Sequence, residues 1–217
     1  MKVLKAMDIT ILTSSQDHPI YNSLQTWKNL NPKHNQVEIK LSANEISGGD
    51  FLFLISCSEI ITKTIRDKYK YCLIVHASDL PSGRGWSPHI WQILEGKSDI
   101  TVSLLEAEDK VDTGRIWLQK TMHLEGHELY NEINECLSDI TLNLMSAAID
   151  QYNKIKPKAQ RTDDISYYPK RTPSDSEIDP SLTIEQQFDL LRIADPDRFP
   201  AFFELRGQRY KIKIEKI

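Results

Sequence analysis

The chain has 217 residues, 40% of them hydrophobic, and a formal net charge of −4, which suits one good hydrophobic core with a small appendage. No apolar run is long enough to span a bilayer, and residues 1–8 lack the apolar stretch of a signal peptide, so we expect no membrane association and a cytoplasmic location. The negative charge argues against wholesale binding to nucleic acid, which needs a basic face, although a few local cations can still hold an anionic substrate.

The first part of the chain alternates predicted strands with predicted helices. The pattern of apolar residues predicts strands at 8–13, 36–41, 51–56 and 72–76, and helices at 19–30 and 60–68. Because alternation of this kind produces parallel pairing with right-handed crossovers, we expect an α/β fold with a mostly parallel sheet. The glycine-rich phosphate-binding sequences are absent, which argues against a nicotinamide enzyme or a nucleotide triphosphatase.

The strand predicted at 72–76 ends abruptly at His76 and runs into a loop that contains Pro81, Gly83 and Gly85. In open α/β sheets the carboxyl ends of central strands line the ligand crevice. Imidazole exchanges a proton near neutral pH, so a histidine there can carry out acid–base chemistry. For an isolated histidine at a strand end, a structural role is the better interpretation, and a matched carboxylate partner reverses that preference.

The rest of the chain contains strands, a long helix and a mixed tail. We expect a short helix at 88–95, strands at 100–106 and 115–123, and a long amphipathic helix at 125–155. Asp112-Thr113-Gly114 lies between the two strands and could be only a hairpin turn. An irregular segment at 156–181, a helix at 183–193 and strands at 201–205 and 209–217 follow. This pattern predicts a core at 1–155 and a carboxyl-terminal subdomain with loop, helix and β-hairpin at 156–217.

The three cysteines are Cys57, Cys72 and Cys136. Their odd number and their spacing do not match a disulfide framework or a metal site. We therefore expect free thiols in a reducing compartment and no bound metal.

Several spacings that start at His76 match one enzyme family together. His76-Ala77-Ser78-Asp79-Leu80-Pro81, followed by Arg84-Gly85, Pro88, Trp91 and Asp112-Thr113-Gly114, resembles the signature of formyltransferases that use 10-formyltetrahydrofolate. The segment 167–173, Tyr-Tyr-Pro-Lys-Arg-Thr-Pro, is similar to the carboxyl-side segment of members that formylate sugar nucleotides or initiator tRNA. The resemblance covers about residues 51–203. It implies a Rossmann-like core, shortened at its amino terminus, with a small α+β carboxyl-terminal cap.

The resemblance implies that His76 and Asp112 are the catalytic pair. A histidine can act as the base or, when protonated, as a donor to the developing oxyanion, and an adjacent carboxylate stabilises the protonated ring. One departure concerns the family's asparagine two residues before the histidine, which falls on Ile74 here. Because that amide is thought to donate to the formyl oxygen in the family, either another group donates here or His76 carries more of the stabilisation.

The resemblance also implies two binding regions. The pocket for 10-formyltetrahydrofolate lies between two backbone segments formed by Ser58, Glu59 and Ile60 and by Glu108, Asp109 and Lys110. The residues that we expect at the substrate are Ser78, Arg84, Trp86, Tyr167, Lys170 and Arg171. Each has a structural alternative, since Ser78 and Arg84 can hold the loop, Trp86 can pack, and Lys170-Arg171 can form a solvated face. The functional interpretation has Lys170-Arg171 hold a pyrophosphate while a neighbouring aromatic ring stacks on a base.

The resemblance of the motif sequence also indicates a substrate class. The segment 76–91 is most similar to formyltransferases of bacterial surface-sugar pathways, in particular those of pseudaminic acid, which implies a UDP-linked 4-amino-4,6-dideoxy sugar. Initiator tRNA would need a basic carboxyl-terminal domain of about 100 residues, whereas fourteen residues follow Phe203. The alternatives are a glycinamide ribonucleotide-type formyltransferase, or a non-catalytic folate or nucleotide-sugar binding module. A homodimer is the expected assembly.

Overall fold

The computed structural model describes residues 6–30 and 35–217, and its centre is a six-stranded sheet. The strands of the chain are β1 (Met7–Leu12), β2 (Asn35–Lys40), β3 (Gly49–Leu54), β4 (Tyr69–His76), β5 (Arg84–Gly85), β6 (Asp99–Glu106), β7 (Ile116–His123), β8 (Tyr167–Tyr168), β9 (Ala201–Leu205) and β10 (Gln208–Ile212). The order in the sheet is β2-β1-β3-β4-β6-β7. The first four strands in this order pair in parallel, and β6 and β7 extend the sheet beyond β4 with antiparallel pairing. The predicted α/β fold with a mostly parallel sheet is confirmed.

The sheet is buried on both faces near its middle. On β3, Phe51 and Phe53 face a large core, while Leu52 and Leu54 face a smaller one. Successive side chains of a strand point to opposite faces of the sheet, so β3 contributes to both cores. The helices are α1 (Tyr21–Leu30), α2 (Lys63–Arg66), α3 (Pro88–Leu94), α4 (Tyr130–Gln151) and α5 (Phe188–Arg192). Apolar residues of α1, α3 and α4 complete the large core.

Three predicted helices are longer than the observed ones by more than two residues. The helix predicted at 60–68 is reduced to α2, which begins after Thr62. The long helix predicted at 125–155 begins after Leu129, because the Glu132 carboxylate accepts a hydrogen bond from the Leu129 amide at 2.8 Å and caps the helix there. The helix predicted at 183–193 divides into a 3₁₀ turn at Glu185–Gln187 and α5.

The carboxyl-terminal part both returns to the sheet and forms its own small layer. Lys158 exchanges two backbone hydrogen bonds with Ile116, at 2.8 and 2.9 Å, and β8 pairs in parallel with β5. β9 and β10 form an antiparallel hairpin, so the strand predicted at 209–217 ends at residue 212. The hairpin packs with α5 through a small apolar cluster. The division at residue 155 stays a prediction.

None of the helices formed by residues 6–30 and 35–217 combines the length and the apolar character that crossing a bilayer requires.

Candidate active site

His76 ends β4, and its imidazole is buried between a loop and a carboxylate. Nε2 lies 2.8 Å from the carbonyl oxygen of Gly83. Since a carbonyl oxygen can only accept, Nε2 carries the hydrogen and donates it. Nδ1 lies 3.6 Å from Asp112 Oδ1, an ion-pair distance, and the side chains are only 8% and 5% exposed. The predicted catalytic residues, 36 positions apart by their numbers, therefore meet at the carboxyl end of the sheet.

A tight turn between β6 and β7 presents Asp112. Its φ of 57° lies in the left-handed region, which a side chain tolerates at some cost. Oδ2 accepts a hydrogen bond from the Gly85 amide at 3.0 Å, so the other oxygen faces His76. Gly114 makes the turn possible, because a Cβ there would lie 1.8 Å from the carbonyl oxygen of Glu106. The Asp-Thr-Gly sequence is thus both a turn and the support of a buried carboxylate.

The β5–β8 pair fastens the loop after His76 to the carboxyl-terminal segment. Arg84 is buried, and its Nη2 donates to Gln160 Oε1 at 2.7 Å while Nη1 donates to the Tyr167 hydroxyl at 3.3 Å. The hydrogen bond from Arg84 lowers the pKa of the Tyr167 phenol. Arg84 therefore holds the loop in this structure.

Trp86 and Lys170 form an exposed surface beside that pair. The Lys170 ammonium lies 4.7 Å from the centre of the Trp86 ring, which is 48% exposed. Tyr167 is also exposed, and its neighbour Tyr168 stacks on Trp91 at 6.1 Å between centroids. The structure thus exposes Trp86 and Tyr167 near the β5–β8 pair, with the Lys170 cation over the Trp86 ring.

Two other predicted substrate residues lie differently. Arg171 donates from Nη2 to the Asp175 carbonyl at 2.5 Å. Its guanidinium is partly buried, and burial lowers its pKa. Ser78 is buried, and its hydroxyl has no partner within the part of the chain that the structure describes. In the state described, Arg171 stabilises its own turn and Ser78 lies beneath the loop.

The two segments predicted for the folate are joined by one guanidinium. Arg66 donates from Nη1 to the Ile61 carbonyl at 2.7 Å and from Nη2 to the Asp109 carboxylate. The remaining polar groups near by are used locally, because Ser58 donates to the Ser14 hydroxyl and Glu59 accepts from the Ala43 amide. The role at the folate that is predicted for Ser58, Glu59, Ile60, Glu108, Asp109 and Lys110 stays a prediction.

Each of the two segments has an exposed apolar side chain at or next to it. Ile60 is 83% exposed and Val111 is 62% exposed. The backbone groups of both residues have no hydrogen-bond partner among residues 6–30 and 35–217. Apolar side chains combined with free amide and carbonyl groups are the usual lining of a small-molecule site.

Two further histidines, His18 and His89, lie close to the site, where His89 neighbours both His18 and His76. Burial lowers the pKa of His89 to about 4, and the neighbouring imidazoles of His18 and His76 add to the effect. Burial also lowers the pKa of His18 to about 4, with a contribution from the Arg198 guanidinium. Both rings are therefore neutral at pH 7. The sequence offered no signal for this, because His18 and His89 have no partner at an informative spacing.

The sequence matches a known protein family and several curated proteins. The sequence model of the family described as formyl transferase matches residues 8–149. Among curated proteins, the methionyl-tRNA formyltransferase of Prochlorococcus marinus is 31% identical over 143 residues, which are 65% of this chain and 40% of that protein. The chain spans about half the length of the curated relatives it matches, between 40% and 58% for the first three.

Solved structures of three kinds share the fold. A methionyl-tRNA formyltransferase from Clostridium thermocellum has a TM-score of 0.82 at 23% identity, with 97% of this chain and 93% of that chain covered. A 4-N formyltransferase from Francisella tularensis has a TM-score of 0.70 at 18% identity, with coverages of 97% and 99%. HypX from Aquifex aeolicus in complex with tetrahydrofolic acid has a TM-score of 0.73 at 20% identity, with coverages of 94% and 36%. The predicted Rossmann-like formyltransferase fold is confirmed.

Proposed function

The chain belongs to the formyl transferase family, and from that premise we propose that it moves a formyl group from 10-formyltetrahydrofolate to the amine of a nucleotide-linked amino sugar. The observation that carries the proposal is the buried pair formed by His76 and Asp112, 3.6 Å apart at the end of β4. A buried imidazole that faces a carboxylate is suited to proton transfer. The pair contacts the loop around β5 on both sides, because His76 donates to the Gly83 carbonyl and Asp112 accepts from the Gly85 amide.

The reaction forms a bond between the acceptor nitrogen and the formyl carbon and breaks the bond from that carbon to the folate nitrogen. 10-Formyltetrahydrofolate supplies a formyl group on an anilinic nitrogen, which is a better leaving group than an alkyl amine. Nδ1 of His76 takes the proton of the attacking amine and returns it to the departing nitrogen. Asp112 stabilises the imidazolium between those steps, and the hydrogen bond to Gly83 fixes the ring.

The negative charge on the formyl oxygen needs a donor. Ile74, at the position of the family's asparagine, has an apolar side chain that packs beside the smaller core. We assign the donor role to His76 once its Nδ1 has taken the proton of the attacking amine, assisted by a backbone amide.

Ile60 and Val111 support the folate site. Their exposed side chains and free backbone groups face a pterin-sized ligand with apolar faces and polar edges. Arg66 holds both segments at a fixed separation, which preorganises the site. Ser58 and Glu108 are part of this proposal through their backbone.

The surface of Trp86, Tyr167 and Lys170 supports a nucleotide as the handle of the acceptor. An exposed aromatic ring can stack on a base, and a lysine can pair with a phosphate. The likeness of segment 76–91 to formyltransferases of pseudaminic acid pathways favours a UDP-linked 4-amino-4,6-dideoxy sugar. Methionyl-tRNA is the second candidate acceptor, because the curated relatives carry that name.

A panel of acceptors tests the assignment. The protein is incubated with 10-formyltetrahydrofolate and UDP-linked 4-amino-4,6-dideoxy sugars, other nucleotide-linked amino sugars, glycinamide ribonucleotide or initiator methionyl-tRNA. Mass spectrometry then reads the gain of one formyl group. We expect formylation of a nucleotide-linked amino sugar. Formylation of methionyl-tRNA alone would overturn the sugar assignment, and folate binding without any transfer would support the binding module.

A further inference from the structure

The Gln160 side chain, in the segment after α4, contacts the backbone of the Asp112 turn. Its amide nitrogen donates to the carbonyl oxygens of Asp112, at 2.8 Å, and Gly114, at 2.9 Å. Its amide oxygen accepts from Arg84 Nη2 at 2.7 Å. The side chain is partly buried, and both ends of its amide are satisfied within the site.

The Asp112 turn requires such support. Asp112 has a left-handed φ of 57°, a conformation that persists when the surroundings hold it in place. Two carbonyl oxygens on either side of Thr113 point to the same donor, which fixes the peptide planes that carry the carboxylate. A rotation of those planes would move Asp112 Oδ1 away from His76 Nδ1, whose separation of 3.6 Å leaves little tolerance.

Arg84 completes the chain of contacts. Its guanidinium is buried, has no carboxylate partner in the described part of the chain, and orients the Gln160 amide by donating to its oxygen. That hydrogen bond decides which end of the amide faces the turn, because the oxygen must point to Arg84 and the nitrogen to the carbonyl groups. Three segments that are distant in sequence are thereby joined at Gln160.

We propose that Gln160 is a positioning residue for formyl transfer, which acts through Asp112 and contacts neither substrate. The inference rests on the proposed function. It predicts a loss of turnover with little change in the Michaelis constants, since the binding segments are held by other residues. It also predicts that the contribution of Gln160 disappears when Asp112 no longer carries its charge.

A double-mutant cycle tests the inference in the full chain. Gln160→Leu should lower kcat about 10–100-fold, because a displaced catalytic group costs this much. In an Asp112→Asn background the same change should cost less than about twofold, since residues that act as one unit are not additive. Gln151→Leu, at an exposed position on the last turn of α4, is the matched control and should leave kcat unchanged.

A second variant separates positioning from packing. Gln160→Glu keeps the size and the acceptor for Arg84 but replaces the donor that faces the two carbonyl oxygens, so it should retain the thermal midpoint of the wild type more closely than Gln160→Leu while still losing kcat. Equal losses from Gln160→Leu in both backgrounds, or wild-type kcat in Gln160→Glu, would overturn the inference.

An NMR measurement tests the positioning role without any acceptor substrate. In protein with ¹⁵N-labelled histidine, Gln160→Leu and Asp112→Asn should each perturb the ring resonances of His76, and Gln151→Leu should not. If the wild type transfers no formyl group to any acceptor, the proposed function fails, and the His76 resonances still decide the positioning role. An unperturbed His76 signal in Gln160→Leu would refute that role.

Discussion

His76 is oriented by two different partners, and each fixes one ring nitrogen. The hydrogen bond to the Gly83 carbonyl determines the tautomer, and Asp112 faces the nitrogen that remains for chemistry. In the proposed reaction the same imidazole exchanges the proton and stabilises the formyl oxygen. Ile74 occupies the position that supplies an amide donor in the family, and its side chain cannot donate a hydrogen bond.

Restoring the amide tests whether the site already has its donor. Ile74 is partly buried, pairs with Leu54 in the sheet and packs beside the smaller core. We expect Ile74→Asn to leave kcat unchanged or lower it, and to reduce the free energy of unfolding by about 1–3 kcal/mol through a poorly satisfied amide. Steady-state kinetics and urea unfolding measure the two effects, with Ile74→Val as the control. A large gain in kcat would show that the natural site lacks a donor.

At the scale of elements, the site depends on turns in which a backbone approaches another backbone closely. Gly114 passes the Glu106 carbonyl, and Gly85 passes the Tyr168 carbonyl. These approaches bring the Asp112 turn and β5 into hydrogen-bond distance of their neighbours. A methyl group at either glycine would collide with backbone, which cannot rotate away as a side chain can.

Gly114→Ala should damage the site more than the fold. The new Cβ would lie 1.8 Å from the Glu106 carbonyl oxygen, so the turn must shift and carry Asp112 with it. We expect kcat to fall by about 100-fold and the free energy of unfolding to fall by about 1–3 kcal/mol. Gly126→Ala adds the same methyl where no atom lies within 4 Å, so it should keep its kcat, although its φ of 95° makes an alanine there strained and lowers the free energy of unfolding. Comparable kinetics of the two variants would argue against this account of the turn.

The sequence predicted what is encoded locally and missed what long-range contacts decide. The strand that ends at His76 was predictable because its apolar run stops at one residue. The β5–β8 pair was not, since two-residue strands more than 80 positions apart leave no periodic signal. The break at Gln187 has a similar cause, because its side chain accepts from the Asp179 amide at 2.6 Å and donates to the Asp179 carbonyl at 2.9 Å. Arg171 was predicted as a substrate residue from its basic and aromatic neighbours; its guanidinium donates to the Asp175 carbonyl in the structure, and its role at the substrate stays a prediction.

Across the whole molecule, stability should depend on pH through the neutral histidines near the site. The pKa values of His18 and His89 are lowered from 6.5 to about 4 in the folded protein. Between pH 6.5 and about 4 these two histidines bind protons in the unfolded chain but not in the folded protein. Their contribution to the free energy of unfolding is therefore complete above pH 6.5 and is lost as the pH falls toward 4.

The thermal midpoint should therefore fall as the pH is lowered through that window, and His89→Gln should reduce the dependence. Scanning calorimetry at several pH values measures it, with His127→Gln at an exposed side chain as the control. A pH dependence that is the same in all three proteins would show that other groups are responsible.

The central claim is that His76 transfers protons in the movement of a formyl group to an amine. The most direct measurement compares the initial rates of formyl gain by a nucleotide-linked amino sugar, read by mass, for the wild type and His76→Ala at matched folded concentration. The account predicts that the wild type formylates the sugar and that His76→Ala is slower by about 10²–10⁴-fold. A folded His76→Ala protein with the turnover of the wild type would contradict it.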